Sequence, residues 1–146
     1  MKKRRFLILG LAVAFVAVVI VAATPALRRH NEFVQCSNQM HVVLYVACLA
    51  WPDEHGGFLP SNFPSMSNEL IMPRFLVCPG DRLRHPATNW SSFTTDNCSY
   101  EMVTPGARKD DTNSVFLRCK IHGYTGYSDD RLLDGSGRLV RPDRLW

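Results

Sequence analysis

The sequence predicts an α+β protein: a long N-terminal helix that crosses a membrane and continues, kinked, as the spine on which a small antiparallel sheet packs. Three observations carry this expectation. Residues Phe6 to Ala23 contain no charged or strongly polar side chain. A second helical pattern, with apolar residues at three- and four-residue steps, resumes after Pro25. Beyond Pro52, short apolar runs alternate with Gly, Pro and Asp clusters, the pattern of strands joined by tight turns.

The first segment sets the organisation. Its 18 residues would extend roughly 27 Å as a helix, close to a hydrocarbon core of about 30 Å. A buried soluble helix is rarely apolar on every side. Four cations precede it (Lys2, Lys3, Arg4, Arg5) and two follow (Arg28, Arg29), so the positive-inside bias puts the N-terminus in the cytoplasm. Residues 1–27 thus read as a basic leader and transmembrane anchor, and residues 28–146 as an exported domain reaching the periplasmic or extracytoplasmic side of the inner membrane. The rival is a cleaved secretory signal ending near Thr24-Pro25-Ala26; both readings export the domain. Gly10, Ala12, Ala14 and Ala17 offer small residues for close approach of membrane helices, and Pro25 should kink the rod near the membrane surface.

With 146 residues there is room for one domain beyond the anchor. The net charge of +4 belongs to the anchor's flanks: setting aside those six cations leaves 11 against 13 acids. No basic stripe remains on the folded part, which argues against a nucleic-acid platform.

Phe33, Cys36, Met40, Val43, Ala47 and Trp51 mark the inner face of a spine helix over residues 28–51, with Arg29, Glu32, Gln35 and Gln39 on the polar face. Pro52 is expected to end it. Residues 52–146 hold loops and sheet. Ser67 can cap a short helix through Met72, with Pro73 as its stop. Arg74–Cys78, Asn97–Val103 and Ser114–Cys119 read as strands, and Leu132 to Val140 as a hairpin with a Gly-rich tip.

This layout resembles that of type IV pilins and type II secretion pseudopilins. Cys36-Ser-Asn-Gln-Met40, Leu44, Ala47, Trp51 and Asp53-Glu-His55-Gly-Gly57-Phe58-Leu-Pro60 are similar to a block found in pilin-like proteins of planctomycetes and verrucomicrobia. Later blocks continue the resemblance in order: Leu76-Val-Cys78-Pro79-Gly-Asp81, Ser99-Tyr100-Glu101 with Pro105-Gly106, and Arg118-Cys119-Lys-Ile-His122-Gly123 with Asp134-Gly135. Two positions diverge. Phe15 stands where prepilins carry Glu, counting from Gly10, and 11 residues rather than the family's nine separate His122 from Asp134. The resemblance implies a non-enzymatic structural component of a pilus-type or secretion-type assembly, with the lipid bilayer and other pilin-like subunits as partners and no small-molecule substrate. The alternative is a monomeric, membrane-anchored binding domain with a metal-stabilised sheet.

An exported chain with five cysteines raises the question of disulfides. Cys36 and Cys48, 12 residues apart on one helix, are separated by about 18 Å along its axis and cannot pair with each other. Cys78 and Cys119 each close a predicted strand and are disulfide candidates; the bridge would stabilise by about 3–4 kcal/mol on a chain-entropy model. A zinc site is the sharper alternative, with Cys78 and Asp81 facing Cys119 and His122. Asp129, Asp130 and Asp134, beside Ser128 and Ser136, could hold calcium, as in some pseudopilin C-terminal loops, or simply form turns. No other cofactor is expected. Cys119 with His122 and Cys48 with His55 are the available thiol–base pairs, but no nucleophile elbow, phosphate loop or His-Glu-x-x-His helix accompanies them. Catalysis is therefore not expected.

Overall fold

The computed structural model describes residues 2–141, with side chains described from Val13 onward. The chain divides into two compact units, Met1–Asn31 and Glu32–Trp146.

The first unit is wholly helical over its described residues and belongs to α1 (Lys2–Leu44). Helical geometry persists through Pro25. Proline has no N–H to return to the carbonyl one turn back; just before it, the Thr24 hydroxyl donates to the Ile20 carbonyl at 2.7 Å. Val13, Phe15, Val18 and Val21 are all exposed. An 18-residue window of mean hydropathy 1.5 has none of its surface buried, and this is the one helix among the described residues long and apolar enough to cross a membrane. Ala14 is exposed with it, whereas Gly10 and Ala12 lie outside the residues whose side chains are described.

The second unit is the α+β head. Its helical part buries Cys36, Met40, Val43, Leu44 and Ala47, a three–four spacing that keeps one face turned inward. Against it lies a five-stranded antiparallel meander in the order β1 (Tyr100–Met102), β2 (Val115–Cys119), β3 (Tyr124–Tyr127), β4 (Leu132–Leu133) and β5 (Leu139–Val140). Phe116, Leu117, Tyr124 and Leu132 fill the seam with Leu59, Met66 and Leu76 from the connecting loops. Phe116 and Leu117 are consecutive yet both buried. A register shift between Val115 and Leu117 accounts for it, since a bulge breaks the alternation of faces. At Gly126 of β3 the strand backbone packs directly on the helix residue Leu44. A Cβ there would lie 2.7 Å from Leu44 Cδ1, so only glycine fits without displacement.

Several elements differ from expectation. The strand read over Arg74–Cys78 is a 3-10 helix, Pro73–Leu76, with proline at its first turn, where the fixed φ and missing N–H suit a helix start. The short helix at Ser67–Met72 is replaced by a 3-10 turn at Pro64–Met66. Pro52 does not end the spine. The chain widens into a π-helix over Tyr45–Ala50, in which the Trp51 N–H reaches back to the Val46 carbonyl, and α2 (Trp51–Glu54) follows. The wider turn accommodates a proline that would otherwise collide with the carbonyl four residues back. His55 closes the helix: its ring stacks on Trp51 at 3.4 Å between centroids, with Nδ1 2.8 Å from the Trp51 carbonyl oxygen. Strand β3, broken in composition by Gly126, was not expected.

Candidate metal centre

Four side chains converge where helix, loop and sheet meet: Cys36, Cys78, Cys119 and His122, with all their donor atoms within 4.8 Å of one another. Cys36 comes from the inner face of α1, and the other three come from two tight turns.

In the first turn, Cys78-Pro79-Gly80-Asp81, the Asp81 N–H closes on the Cys78 carbonyl at 2.9 Å and the Gly80 N–H is directed at the Cys78 sulfur. In the second, Cys119 ends β2, the Gly123 N–H returns to the Cys119 carbonyl at 2.9 Å, and the N–H groups of His122 and Ile121 are directed at the Cys119 sulfur. Gly123 makes this turn possible. Its φ of +74° is left-handed, and a Cβ would sit 3.3 Å from the Gly135 Cα. Turns that aim amide hydrogens at sulfur favour the thiolate, the form that binds metal.

The distances have a definite meaning. Cys36 Sγ lies 3.5 Å from Cys78 Sγ and 3.6 Å from Cys119 Sγ, and Cys78 Sγ lies 3.1 Å from His122 Nδ1. Around a tetrahedral zinc with Zn–S near 2.3 Å and Zn–N near 2.0 Å, sulfurs sit about 3.8 Å apart and sulfur and nitrogen about 3.5 Å apart. A few tenths of an ångström of expansion would fit the ion. Cys36, Cys78 and Cys119 are fully buried, and the half-buried His122 ring is held edge-on to Phe33 at 5.8 Å and tilted to Tyr124 at 6.3 Å. Tyr100, whose hydroxyl donates to Gln39 Oε1 at 3.1 Å, comes within 3.6 Å of Cys36 Sγ.

Protons are unevenly shared among the sulfurs. Cys119 is held well below the ordinary thiol range, because the S–H groups of Cys36 and Cys78 and the two backbone N–H groups all favour its anion. Cys78 is pushed upward, chiefly by its hydrogen bond to Cys119.

Cys78, Cys119 and His122 therefore come together, and neither cysteine is in a disulfide. Asp81 does not join them. Its carboxylate accepts from the Leu83 and Arg84 N–H groups at 2.9 and 3.2 Å, the Arg84 guanidinium at 3.1 Å and the Ser99 hydroxyl at 2.8 Å. Burial alone would raise its pKa, but these donors outweigh it and hold the carboxyl down at about 2. Asp81 braces the Cys78 turn instead of ligating. The fourth donor, Cys36, escaped sequence reasoning. The available signal was a cysteine on the buried helix face in a chain whose odd cysteine count leaves at least one thiol without a disulfide partner.

The C-terminal acidic cluster does not gather into a second donor group among the described residues. Asp134 Oδ1 accepts from Ser136 N–H at 2.9 Å, Ser136 Oγ at 2.6 Å and Arg138 N–H at 3.0 Å, tying the β4–β5 turn; the Ser136 bond leads in holding its pKa at about 2. Asp129 pairs with Arg131, and Asp130 occupies a turn at φ +63°. Cys48 is buried beside the Tyr127 carbonyl, 3.6 Å away, and His55 is stacked on Trp51; each is engaged by a partner other than its expected mate. Compared with family models, with curated proteins and with solved structures, the chain finds no match in any of the three.

Proposed function

We propose that this chain is a membrane-tethered, non-enzymatic structural subunit of pilin-like or pseudopilin-like type, whose exported head is clamped by a structural zinc ion. The observation that carries the reading is the closed Cys36–Cys78–Cys119–His122 set, drawn from helix, loop and sheet. Four protein donors leave no vacant position for water or substrate, as in structural rather than catalytic zinc sites, and the soft three-sulfur, one-imidazole set suits zinc over calcium or magnesium.

Two further features support the subunit role. The blocks on which the pilin resemblance rests (around Cys36, Cys78 and Cys119-to-His122) are the segments that supply the donors. The described anchor helix presents apolar side chains without internal cover, a face that rests in lipid when alone and packs against neighbouring helices in an assembly. In the proposed topology the N-terminus stays in the cytoplasm and residues from 28 onward lie outside the inner membrane.

The test joins two measurements on the full chain extracted from membranes in detergent. Metal analysis should find about one zinc per chain, and crosslinking in intact membranes should give ladders with other helical subunits. A zinc-bearing protein that stays a lone monomer under crosslinking would replace the assembly role with that of a tethered binding domain. A folded head without zinc would remove the clamp.

A further inference from the structure

The three sulfurs that suit a metal also stand next to one another in pairs that could be oxidised to a disulfide. Cys36 is the pivot, with Cys78 Sγ at 3.5 Å and Cys119 Sγ at 3.6 Å. A bond length of about 2.05 Å requires about 1.5 Å of closure. None of the three sulfur-bearing residues has surface open to bulk water. A groove of about 350 Å³, bounded by Gln35 and Gln39 of α1 and by Phe75, Pro79 and Asp81 of the facing loop, has Cys78 in its wall.

We propose that zinc and a disulfide compete for the same sulfurs, so that hydrogen peroxide converts the zinc-bound head into a metal-free head joined by a Cys36–Cys78 bridge. The proposal rests on the zinc reading of the centre. Of the three cysteines only Cys78 lines the groove, so a peroxide admitted by local motion of the groove wall meets Cys78 first. The Cys78 thiolate attacks one peroxide oxygen, the O–O bond breaks, and the leaving hydroxide takes a proton to become water. The resulting sulfenic acid is attacked by the Cys36 thiolate; the S–S bond forms, and a second hydroxide leaves and is protonated to water. Two thiolates lose two electrons, and one peroxide gains them. Cys119 and His122 remain, two donors where a structural zinc site has four, and the ion departs.

The two states clamp different things. Zinc ties α1 to both the Cys78 turn and the β2–β3 corner. The disulfide keeps α1 on the Cys78 turn and frees the corner that carries Cys119 and His122. The head therefore loosens at the sheet while its helix-to-loop link becomes covalent.

The experiment uses the full chain in detergent, purified with reductant and loaded with zinc. Hydrogen peroxide is added while a chromophoric chelator reports free zinc, and disulfides are then mapped by peptide mass spectrometry. The expected result is release of about one zinc per chain together with a Cys36–Cys78 bridge, both reversed by a thiol reductant and fresh zinc. A Cys98→Ser chain should behave identically. Zinc retained through peroxide treatment, or release accompanied by a Cys78–Cys119 bridge or by oxidation elsewhere, overturns the switch while leaving the zinc clamp standing. A reduced, folded chain that takes up no zinc overturns the clamp itself, and the switch with it.

Discussion

Gly80→Ala is a small change aimed at the centre without touching a ligand. The Gly80 φ is not left-handed, and alanine's Cβ would lie 2.8 Å from His122 Cε1, 3.0 Å from His122 Nε2 and 3.1 Å from Ile121 Cγ2. Carbon atoms settle at about 3.5–4.0 Å, so the imidazole must retreat by roughly 0.7–1 Å. The ring is not free to do so without loss, because Phe33 and Tyr124 flank it and its Nδ1 faces Cys78 at 3.1 Å. Metal–ligand distances tolerate only about 0.2 Å of error. We expect zinc affinity to fall about 10- to 100-fold, or about 1.4–2.7 kcal/mol. Without metal the ring has no ligand geometry to keep and can move aside at the cost of its contacts with Phe33 and Tyr124, so the metal-free chain should lose less stability than the zinc-loaded one. Competition against a chromophoric chelator gives the affinity, and circular dichroism shows that the variant has folded. A folded Gly80→Ala chain that holds zinc as tightly as the parent would refute the claim that His122 is a ligand in the position described.

The other predictions address separate parts of the head. Cys36→Ser should abolish stoichiometric zinc binding whereas Cys98→Ser should not, as read by metal analysis after gel filtration; Cys98 Sγ is directed at the Tyr100 carbonyl at 3.3 Å, away from the centre. Gly126→Ala places a Cβ 2.7–3.1 Å from three Leu44 carbons, an overpacking expected to cost about 1–3 kcal/mol in denaturant unfolding whether or not metal is present; unchanged stability would mean that helix and strand do not approach as described. Asp81 has a folded pKa of about 2, below its ordinary value, so its contribution is present above about pH 4 and is lost as the pH falls toward 2, amounting to about 1–2 kcal/mol. In the metal-free chain Asp81→Asn should flatten that acid limb of the melting profile, and an identical limb would rule Asp81 out as the brace.

How much of this could be read from residues alone depended on the range of the interaction. The apolar run from Phe6, the inner face through Cys36, Met40 and Val43, and the hairpin around Gly135–Gly137 are set by local periodicity and turn chemistry, which a sequence displays directly. The two prolines misled because their effect depends on register. Pro52 reads as a stop, yet a π-turn at Tyr45–Ala50 carries the helix past it; Pro73 reads as the end of one element and instead starts a 3-10 helix. Strand β3 was hidden by Gly126, whose place in the sheet follows from the bulk of Leu44, 82 positions earlier in the numbering. The donor cluster was half visible for the same reason. Cys78, Cys119 and His122 announce themselves through tight turns, so their pairing could be anticipated. Cys36 joins them only because the helix packs with that face toward the β2 end, and no local pattern states this. Asp81 held the right spacing but the wrong chemistry, since four donors from its own turn and from Ser99 claim its oxygens first.

The positions of the four donors along the chain also decide when the ion can enter. Cys36 leaves the ribosome early, but Cys119 and His122 follow only after most of the head has been made, so every donor set with fewer than four members is a waypoint during biogenesis. On the proposed topology those late residues reach the far side of the membrane last. On that topology the four donors would be complete only beyond the membrane, and the proposed zinc would come from the supply there rather than from the cytoplasm.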